Sequence, residues 1–310
     1  MVRVAIAGGG GKLGRTILDV LSEQDEHEAF VLSRKASQDR KHGAAVLQVD
    51  YTDIESMTQT LEENRIDTVI CTIGYHGNSL EVAQMNLIRA AMASRTTRRF
   101  VPSTFAISYP RESVKELSTL THYFAAIDLL ESSDLQYTVF LNGCFLDYWA
   151  MPHIKTHLSP APFAVDVASR TAAIPGDGEA RVTFTYSYDV ARFVVRLLGE
   201  EEWEPVSKVA GDVKTWNEFV GIAEGVIGEK FKVTYDSVEE LKEGRMTELP
   251  SQVECYETFP KPQFQWFMSI FSRWTADENV GFVEGTLNER FPDIQCLDVR
   301  NMIEKYWKSK

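Results

Sequence analysis

The sequence lacks the features that mark disulfide-bonded, membrane-spanning and nucleic-acid-binding proteins. Its four cysteines are widely spaced and include no Cys-x-x-Cys pair, so neither a disulfide framework nor a zinc ribbon is indicated. No uncharged apolar run approaches the length of a membrane span, and the apolar run at the amino terminus is too short for a signal-peptide core. The net charge of -13 disfavours nucleic acid and anionic membrane surfaces as partners. These absences predict a cytoplasmic protein with reduced cysteines.

The first half of the 310-residue chain alternates two kinds of pattern. Short apolar runs of strand length are separated by stretches in which apolar residues repeat at helical spacing, which predicts a parallel sheet covered by helices on both faces. The predicted strands are 2–7, 29–33, 45–49, 67–73, 98–102 and 136–141. The predicted helices lie around 17–21, 54–61, 80–91 and 121–132.

Glycines cluster where the first predicted strand meets the first predicted helix. Gly8, Gly11 and Gly14 have the spacing Gly-x-x-Gly-x-x-Gly, and Gly9 adds the related pattern Gly-x-Gly-x-x-Gly. Such loops let the backbone approach a pyrophosphate, whose charge sits at the helix N-terminus. Because the motif lies between a strand and a helix in a βαβ unit, it predicts a dinucleotide site rather than a turn that binds nothing. The predicted contacts in this loop are Gly8, Gly11, Lys12, Leu13 and Gly14.

The glycine loop and the alternating pattern together predict an α/β fold, a Rossmann doubly wound parallel sheet with a smaller C-terminal substrate-binding region. After about residue 145 the pattern changes, and aromatic residues and prolines become more frequent. We therefore expect residues 1–150 to form the nucleotide-binding domain, with segments near 180–212 returning to it, and residues 151–310 to form the substrate-binding region.

Three local expectations concern the second half of the chain. Ser187 is placed to cap the N-terminus of a helix that ends before Gly199. Thr215 and Glu218 have the spacing of a capping box. The acidic and aromatic segment 236–285 shows no regular pattern, so we expect it to be irregular.

The residues after the second strand predict which dinucleotide binds. An NAD site usually carries an acid there for the ribose 2′-hydroxyl, whereas this chain has Arg34 and Lys35. Arg34 can bind a 2′-phosphate through two hydrogen bonds and stack on the adenine, and Lys12 in the glycine loop adds a further positive charge. The predicted cofactor is therefore NADP(H), with Asp50 and Tyr51, after the third strand, placed to meet the adenine.

Other candidate site residues follow the fourth and fifth strands. Thr72, Ile73 and Gly74 come where the chain should pass the ribose and pyrophosphate of the cofactor. Ser103 and Thr104 are placed where substrate and nicotinamide should meet, with a simple turn as the alternative. Aromatic and histidine side chains further on are candidates for lining the substrate site, with ordinary core packing as the alternative: Phe105, Tyr148, Trp149 and His153.

Four segments, in this order, resemble one protein family. They are AIAGGGGKLG, SRK, FVPSTF and GDGEARVTFTYSYDVARFVVRLL, and they are similar to the NmrA-like and isoflavone-reductase-like group of atypical short-chain dehydrogenases, above all to its fungal NmrA-like members. The resemblance covers nearly the whole chain. It implies an NADP(H)-binding Rossmann domain, a C-terminal region over a substrate cleft, and reduction of a phenolic, polyketide-like or alkaloid-like small molecule. It also implies that Asn142, Gly143 and Phe145 contact the nicotinamide.

The resemblance breaks at one position. Reductases of this group carry a lysine on the helix after the FVPS strand, and this chain has Tyr123 there. The Tyr-x-x-x-Lys pair of ordinary short-chain dehydrogenases is missing too, because Ile127 follows Tyr123 and Ser113 follows Tyr109 at that spacing. Two interpretations stay open. Tyr123, with its neighbour His122, donates a proton that the cationic nicotinamide makes more acidic, or Tyr123 only packs.

The predicted activity is NADP(H)-dependent hydride transfer to or from a C=N, C=C or C=O group of a bulky aromatic or heterocyclic secondary metabolite. Without the lysine, hydride transfer could be transient or coupled to ring closure, with a cleft that orients a reactive intermediate for cycloaddition. The alternative of a different class is a redox-sensing regulator that binds NADP+ and a protein partner without turnover. No metal is predicted, because His153 and His157 have no acid at a third-ligand spacing.

Overall fold

The structure, a computed structural model, contains two compact units. It describes residues 1–37, 42–74, 79–257, 259–276 and 280–308. The first unit is made of Met1–Phe105, Tyr109–Leu141 and Val190–Ser207, and the second of Ala106–Ser108, Asn142–Asp189 and Lys208–Lys310. Each unit takes about half of the chain, whereas the sequence predicts a smaller C-terminal region. Residues 142–150 belong to the second unit rather than to the first.

The centre of the first unit is a parallel sheet. Its strands are β1 (Val2–Ala7), β2 (His27–Ser33), β3 (Ala45–Gln48), β4 (Thr68–Cys71), β5 (Arg99–Val101) and β6 (Gln136–Tyr137). They are arranged in the order β3-β2-β1-β4-β5-β6, and every neighbouring pair is parallel. This is the strand order of the Rossmann fold, which confirms the predicted fold class.

Helices pack against this sheet. They are α1 (Lys12–Leu21), α2 (Ile54–Glu63), α3 (Met85–Ala93), α4 (Leu120–Glu131) and, from Val190 onward, α5 (Ser187–Leu197). In α1, Ile17, Leu18 and Leu21 are buried because their helical spacing places them on one face. A π-helical segment, Ser79–Gln84, precedes α3 where the sequence predicts ordinary helix. Such segments are rare and occur often at functional sites.

The strands of the main sheet are buried on both faces. Val4 to Ala7 in β1 and Val69 to Cys71 in β4 have no exposed surface. Runs of consecutive apolar residues are needed here because helices cover both sides of the sheet. The Cys71 thiol is part of this core, and burial raises its pKa to about 12, so it stays protonated and unreactive. All four cysteines are free thiols.

The predicted strand 136–141 is two strands in the structure. β6 pairs with β5 in the main sheet, whereas β7 (Val139–Leu141) pairs with residues 206–208. Thr138, between them, is fully buried, and its hydroxyl oxygen lies 2.8 Å from that of Ser207. The apolar pattern of 136–141 does not reveal this break, because it depends on a partner strand far away in the sequence.

The remaining strands form smaller sheets. They are β8 (Cys144–Phe145), β9 (Val165–Asp166), β10 (Thr171–Pro175), β11 (Arg181–Thr185), β12 (Val206–Lys208), β13 (Asp212–Thr215) and β14 (Lys232–Asp236). One sheet has the order β14-β10-β9 and another the order β13-β11-β8, while β12 is the partner of β7. The remaining helices are α6 (Trp216–Ile227), α7 (Val238–Lys242), α8 (Lys261–Trp274), α9 (Leu287–Arg290) and α10 (Val299–Tyr306).

Two of the local expectations are settled by these helices. The Thr215 hydroxyl accepts from the Glu218 N–H at 3.1 Å and the Glu218 carboxylate accepts from the Thr215 N–H at 2.9 Å, which confirms the capping box at the start of α6. The segment 236–285 is more regular than predicted, since it contains α7 and α8. In α8, Phe264 and Met268 are both buried at a spacing of one helical turn, a period hidden among many other aromatic residues.

Candidate functional site

The glycine loop connects β1 to α1 at the carboxyl edge of the main sheet. Gly8 has a φ of +81°, a left-handed conformation that other residues rarely adopt, and a Cβ there would lie 2.7 Å from the backbone oxygen of Thr72. A Cβ on Gly14 would lie 2.4 Å from the Gly8 oxygen. Gly8 is therefore required by the turn, and Gly14 by the close approach of helix to loop.

Gly11 begins the helix and leaves its N-terminus open. It is the N-cap of α1 with an extended backbone, and its own N–H donates to the Gly8 oxygen at 2.7 Å. Within the described chain, no side chain caps this helix and its first turn contains no acid. The backbone N–H groups of Lys12, Leu13 and Gly14 thus have no side-chain competitor for an anion at the positive end of the helix dipole. This cradle fits a pyrophosphate.

Three basic side chains lie around the loop and the end of β2. Lys12, Arg34 and Lys35 are exposed, and none of them takes part in an ion pair between described residues. Most other basic residues of the first unit are paired, for example Arg98 and Arg99 with Asp67. The positive charge beside the loop therefore remains available to a ligand anion in a chain whose net charge is -13.

The residues predicted to meet the adenine mainly stabilise the turn after β3. The Asp50 carboxylate accepts from the Thr52 N–H at 2.9 Å and from the Thr52 hydroxyl at 2.7 Å, bonds that lower the Asp50 pKa. The Tyr51 hydroxyl donates to the Leu32 oxygen at 3.4 Å, and burial raises the Tyr51 pKa. The positive charge of Arg34 opposes this shift of the Tyr51 pKa.

Thr72, at the end of β4, packs against the glycine loop. The Thr72 N–H and hydroxyl both donate to the Ala7 oxygen, at 2.8 and 2.9 Å. This bond turns the Thr72 side chain toward β1, where it faces Gly8 and Gly14. Thr72 therefore helps to shape the glycine loop. Ile73 packs on the core of the first unit, and Gly74 is exposed.

The end of β5 is held by a residue that the sequence had not singled out. The Ser103 N–H donates to Oε1 of Gln84 at 2.8 Å, and the Ser103 hydroxyl donates to the Ile73 oxygen at 2.9 Å. Thr104 is buried, and its hydroxyl is 3.3 Å from the Pro102 oxygen. The only sequence signal for Gln84 is a polar residue at a buried position of an otherwise apolar helical pattern.

Tyr123 lies on the buried face of α4. It is 3% exposed and packs edge-on against Tyr109, with ring centroids 5.4 Å apart. Its hydroxyl has no hydrogen-bond partner among the described residues, and burial raises its pKa. That direction is opposite to the effect of a cationic nicotinamide. The phenol of the protein alone is therefore protonated at neutral pH.

His122 does not join Tyr123. Consecutive residues of a helix point about 100° apart, and the His122 side chain is exposed by about a third, with Nε2 3.8 Å from a carboxylate oxygen of Glu81. The structure therefore does not bring together the two residues predicted to act as a proton donor and its helper. His122 instead connects α4 to the π-helical segment.

The residues that the resemblance assigns to the nicotinamide lie at the start of the second unit. Asn142 is fully buried, and its Nδ2 donates to the Gly143 oxygen at 3.2 Å. Its Oδ1 is buried and has no hydrogen-bond partner in the described structure. Gly143 has a φ of +66°, and a Cβ there would lie 2.1 Å from the Thr183 oxygen. The Phe145 ring is half-buried beside Tyr148.

The candidates for substrate lining have different surroundings. Tyr148 is half-buried, and His153 packs on Trp307 with ring centroids 4.9 Å apart. Phe105, in the first unit, stacks on Phe140 at 5.5 Å. Trp149 is 2% exposed and lies in the aromatic core of the second unit, where it contacts Phe163, Phe184, Trp216 and Phe219. For Trp149 the structure shows the alternative named with the prediction, packing in the core of the unit.

Asp147 is a buried acid that sequence reasoning missed. Its carboxylate accepts from the Ser187 N–H at 2.9 Å, the Ser187 hydroxyl at 2.6 Å and the Thr156 hydroxyl at 2.6 Å. Burial raises the Asp147 pKa, although these bonds oppose the shift. Asp147 thus serves the N-terminus of α5, whereas Ser187, predicted as the cap, is the first residue of that helix and a donor to Asp147.

In the ranges that the structure describes, no three His, Cys, Asp or Glu side chains are grouped as metal ligands. None of the described helices combines the length and apolarity that a membrane crossing requires. The chemistry that the geometry supports is anion binding at the glycine loop, beside free positive charge.

The model of the NmrA-like family matches residues 2–270. The chain belongs to this family. The match confirms the resemblance carried by the glycine loop and the segments FVPSTF and GDGEARVTFTYSYDVARFVVRLL.

Two fungal oxidoreductases match all or nearly all of this chain. Oxidoreductase BOA1 of Botryotinia fuckeliana (strain B05.10) is 35% identical over 297 residues, which are 95% of this chain and 96% of the relative. Oxidoreductase swnN of Metarhizium robertsii (strain ARSEF 23 / ATCC MYA-3075) is 32% identical over 345 residues, which cover 100% of this chain and 98% of the relative. The fold is similar to that of leucoanthocyanidin reductase from Vitis vinifera, which was solved as a binary complex with NADPH. The TM-score is 0.72 and the sequence identity is 18%, and the match covers 98% of this chain and 99% of the reductase.

Proposed function

We propose that this NmrA-like protein is an NADP(H)-dependent oxidoreductase. It would transfer a hydride between the nicotinamide and a C=N, C=C or C=O group of a bulky aromatic or heterocyclic small molecule. The observation that carries the proposal is the glycine cradle beside unpaired basic side chains. Gly8 and Gly14 have no room for a Cβ, and Arg34 and Lys35 have no ion-pair partner in the described chain.

The preference for NADP(H) over NAD(H) rests on charge. An acid at the end of β2 would repel a 2′-phosphate, and this chain has two bases there instead. Arg34 can donate two parallel hydrogen bonds to phosphate oxygens, and Lys35 and Lys12 add point charges. Tyr51, whose hydroxyl bonds to Leu32 of β2, offers an aromatic ring near the expected position of the adenine.

The proton has a candidate source in the chain itself. The bound nicotinamide supplies the hydride, and the protein orients it and manages the proton. Burial keeps the Tyr123 phenol protonated at neutral pH, so it can give a proton to an oxygen or nitrogen that gains charge. Ser103, at the end of β5, is held by two hydrogen bonds and would give the reacting groups a fixed stretch of backbone.

The substrate class is proposed from the second unit. Phe145, Tyr148 and His153 follow β7 within a short stretch, and all three keep some exposed surface. Partly exposed rings favour a flat apolar ligand, because stacking and apolar burial stabilise such contacts. The relatives BOA1 and swnN are both named oxidoreductases, which is consistent with this proposal.

A dinucleotide binder without turnover is the second candidate. It is favoured by two observations, the first being that no described group hydrogen-bonds to the Tyr123 hydroxyl and orients it. General acids usually have such an orienting partner. The lysine expected at this position is also absent.

A parallel titration with NADPH, NADP+, NADH and NAD+ tests the proposal. We expect NADPH to bind at least about tenfold more tightly than NADH, because charge-assisted hydrogen bonds to the 2′-phosphate are lost in NADH. Equal affinities would contradict the assignment of Arg34 and Lys35. If none of the four dinucleotides binds, the glycine loop is only a turn between strand and helix. Tight NADP+ binding without oxidation of NADPH by any aromatic carbonyl or imine would favour the second candidate.

A further inference from the structure

Gln84 links three elements at the carboxyl edge of the main sheet. It is the last residue of the π-helical segment Ser79–Gln84, and it is fully buried. Its Oε1 accepts from the Ser103 N–H at 2.8 Å, and the Ser103 hydroxyl donates to the Ile73 oxygen at 2.9 Å. One side chain thereby connects the π-helical segment to the end of β5 and, through Ser103, to the chain that follows β4.

The orientation of the Gln84 amide follows from this bond. A backbone N–H can only donate, so the atom facing Ser103 must be the carbonyl oxygen Oε1. The amide nitrogen Nε2 therefore points elsewhere. It is buried and has no hydrogen-bond partner in the described structure. Buried amide donors nearly always have a partner, so an unused one requires a physical explanation.

The place of this donor suggests which acceptor it meets. In Rossmann sheets of this strand order, one half of a dinucleotide binds at β1 and the other half extends over the ends of the strands beyond it. β4 and β5 follow β1 in the sheet. Gln84 bonds to Ser103, which follows β5 and itself bonds to Ile73 after β4. The same π-helical segment carries Glu81, whose carboxylate faces His122 on α4.

We infer that Gln84 is a binding residue for the nicotinamide half of the cofactor. Its Oε1 holds Ser103, and its Nε2 donates to an oxygen of the nicotinamide riboside, either a ribose hydroxyl or the carboxamide oxygen. This inference rests on the proposed function. Because Nε2 is covered in the ligand-free protein, the atoms above it must give way when the cofactor binds.

Two substitutions separate the two ends of the amide. Gln84→Met keeps the side-chain length and removes both hydrogen bonds, whereas Gln84→Glu keeps an acceptor for Ser103 and replaces the donor by an oxygen. The control is Gln252→Met. Gln252 is fully buried in the second unit, and both ends of its amide are bonded, to Leu249 and to Pro162.

The probes are NADPH and adenosine 2′,5′-bisphosphate, which contains the 2′-phosphate and the adenosine but no nicotinamide. We expect both Gln84 variants to bind NADPH about tenfold more weakly than the wild type. All variants should bind the bisphosphate as the wild type does, which also shows that their first unit is folded. Gln252→Met should leave both affinities unchanged.

Each other outcome overturns the inference in a recognisable way. Wild-type NADPH affinity in both Gln84 variants would mean that Nε2 meets an internal water only. A loss in Gln84→Met alone would mean that the bond to Ser103 matters and the donor does not. Equal losses for both probes would mean a general defect of the site. If the wild-type protein binds neither probe, the proposed function fails, and this inference fails with it.

Discussion

The carboxylate of Asp147 holds both the backbone N–H and the hydroxyl of Ser187, at 2.9 and 2.6 Å. Asp147 lies in a short turn after β8, and Ser187 is the first residue of α5. Two segments far apart in the sequence are thereby tied through one buried acid. The Thr156 hydroxyl is its third donor.

This arrangement predicts how stability changes with pH. Because burial raises the Asp147 pKa, the folded protein holds this proton more tightly than the unfolded chain does. The stabilisation is complete below the unfolded pKa of about 3.9 and is lost as the pH rises through the folded pKa. We expect the free energy of unfolding of the wild type, minus that of Asp147→Asn, to fall in urea titrations as the pH is raised above about 4. A difference that rises with pH would contradict the shift.

Replacing glycine by alanine should have opposite effects on stability in the glycine loop and in α6. Gly14→Ala should lower the free energy of unfolding by about 2 kcal/mol and weaken NADPH binding, because the new Cβ would meet the Gly8 oxygen. Gly225→Ala is the control, since nothing lies within 4 Å of a Cβ at this position of α6. It should raise the free energy of unfolding by about 0.5–1 kcal/mol. Unchanged NADPH affinity in Gly14→Ala would show that the loop is not part of the NADPH site.

Charge reversal at Arg34 tests the choice of cofactor. Arg34→Glu should weaken NADPH binding by about 100-fold and leave NADH binding unchanged, because only NADPH carries the 2′-phosphate. Lys232→Glu, at an exposed residue of β14 in the second unit, makes the same change in net charge and should leave both affinities unchanged. Parallel losses for NADPH and NADH would show that Arg34 acts on the fold or on the pyrophosphate instead.

Tyr123→Phe tests the proposed proton donor. The free energy of unfolding should change by less than about 0.5 kcal/mol, because no described group bonds to the hydroxyl and the ring packing is kept. Turnover of any substrate that the wild type reduces should fall about 100-fold, with NADPH affinity unchanged. Tyr235→Phe, at a largely exposed ring, is the control. If Tyr123→Phe keeps wild-type turnover, the ring only packs.

The elements that could be predicted from the sequence are those whose structure depends on residues close together in the chain. The strands around the glycine loop and the capping box at Thr215 follow from spacing that a few neighbouring residues contain. The break at Thr138 does not, because it depends on pairing with the distant residues 206–208. The same applies to Asp147 and Gln84, whose hydrogen-bond partners are many residues away. Side-chain depth was also out of reach, so Trp149 could not be told from a ligand-facing aromatic.

The position of β1 between β2 and β4 determines how durable the glycine loop is. Val4 to Ala7 have no exposed surface, and both edges of β1 are hydrogen-bonded to neighbouring strands. Amide protons in such a strand exchange with solvent only when the whole unit opens, whereas a short outer strand such as β6 frays on its own. The loop that begins at Gly8 is therefore attached to the slowest-opening part of the unit. Its shape is therefore kept when the edge strands of the sheet unfold locally, and it is lost only when the whole unit unfolds.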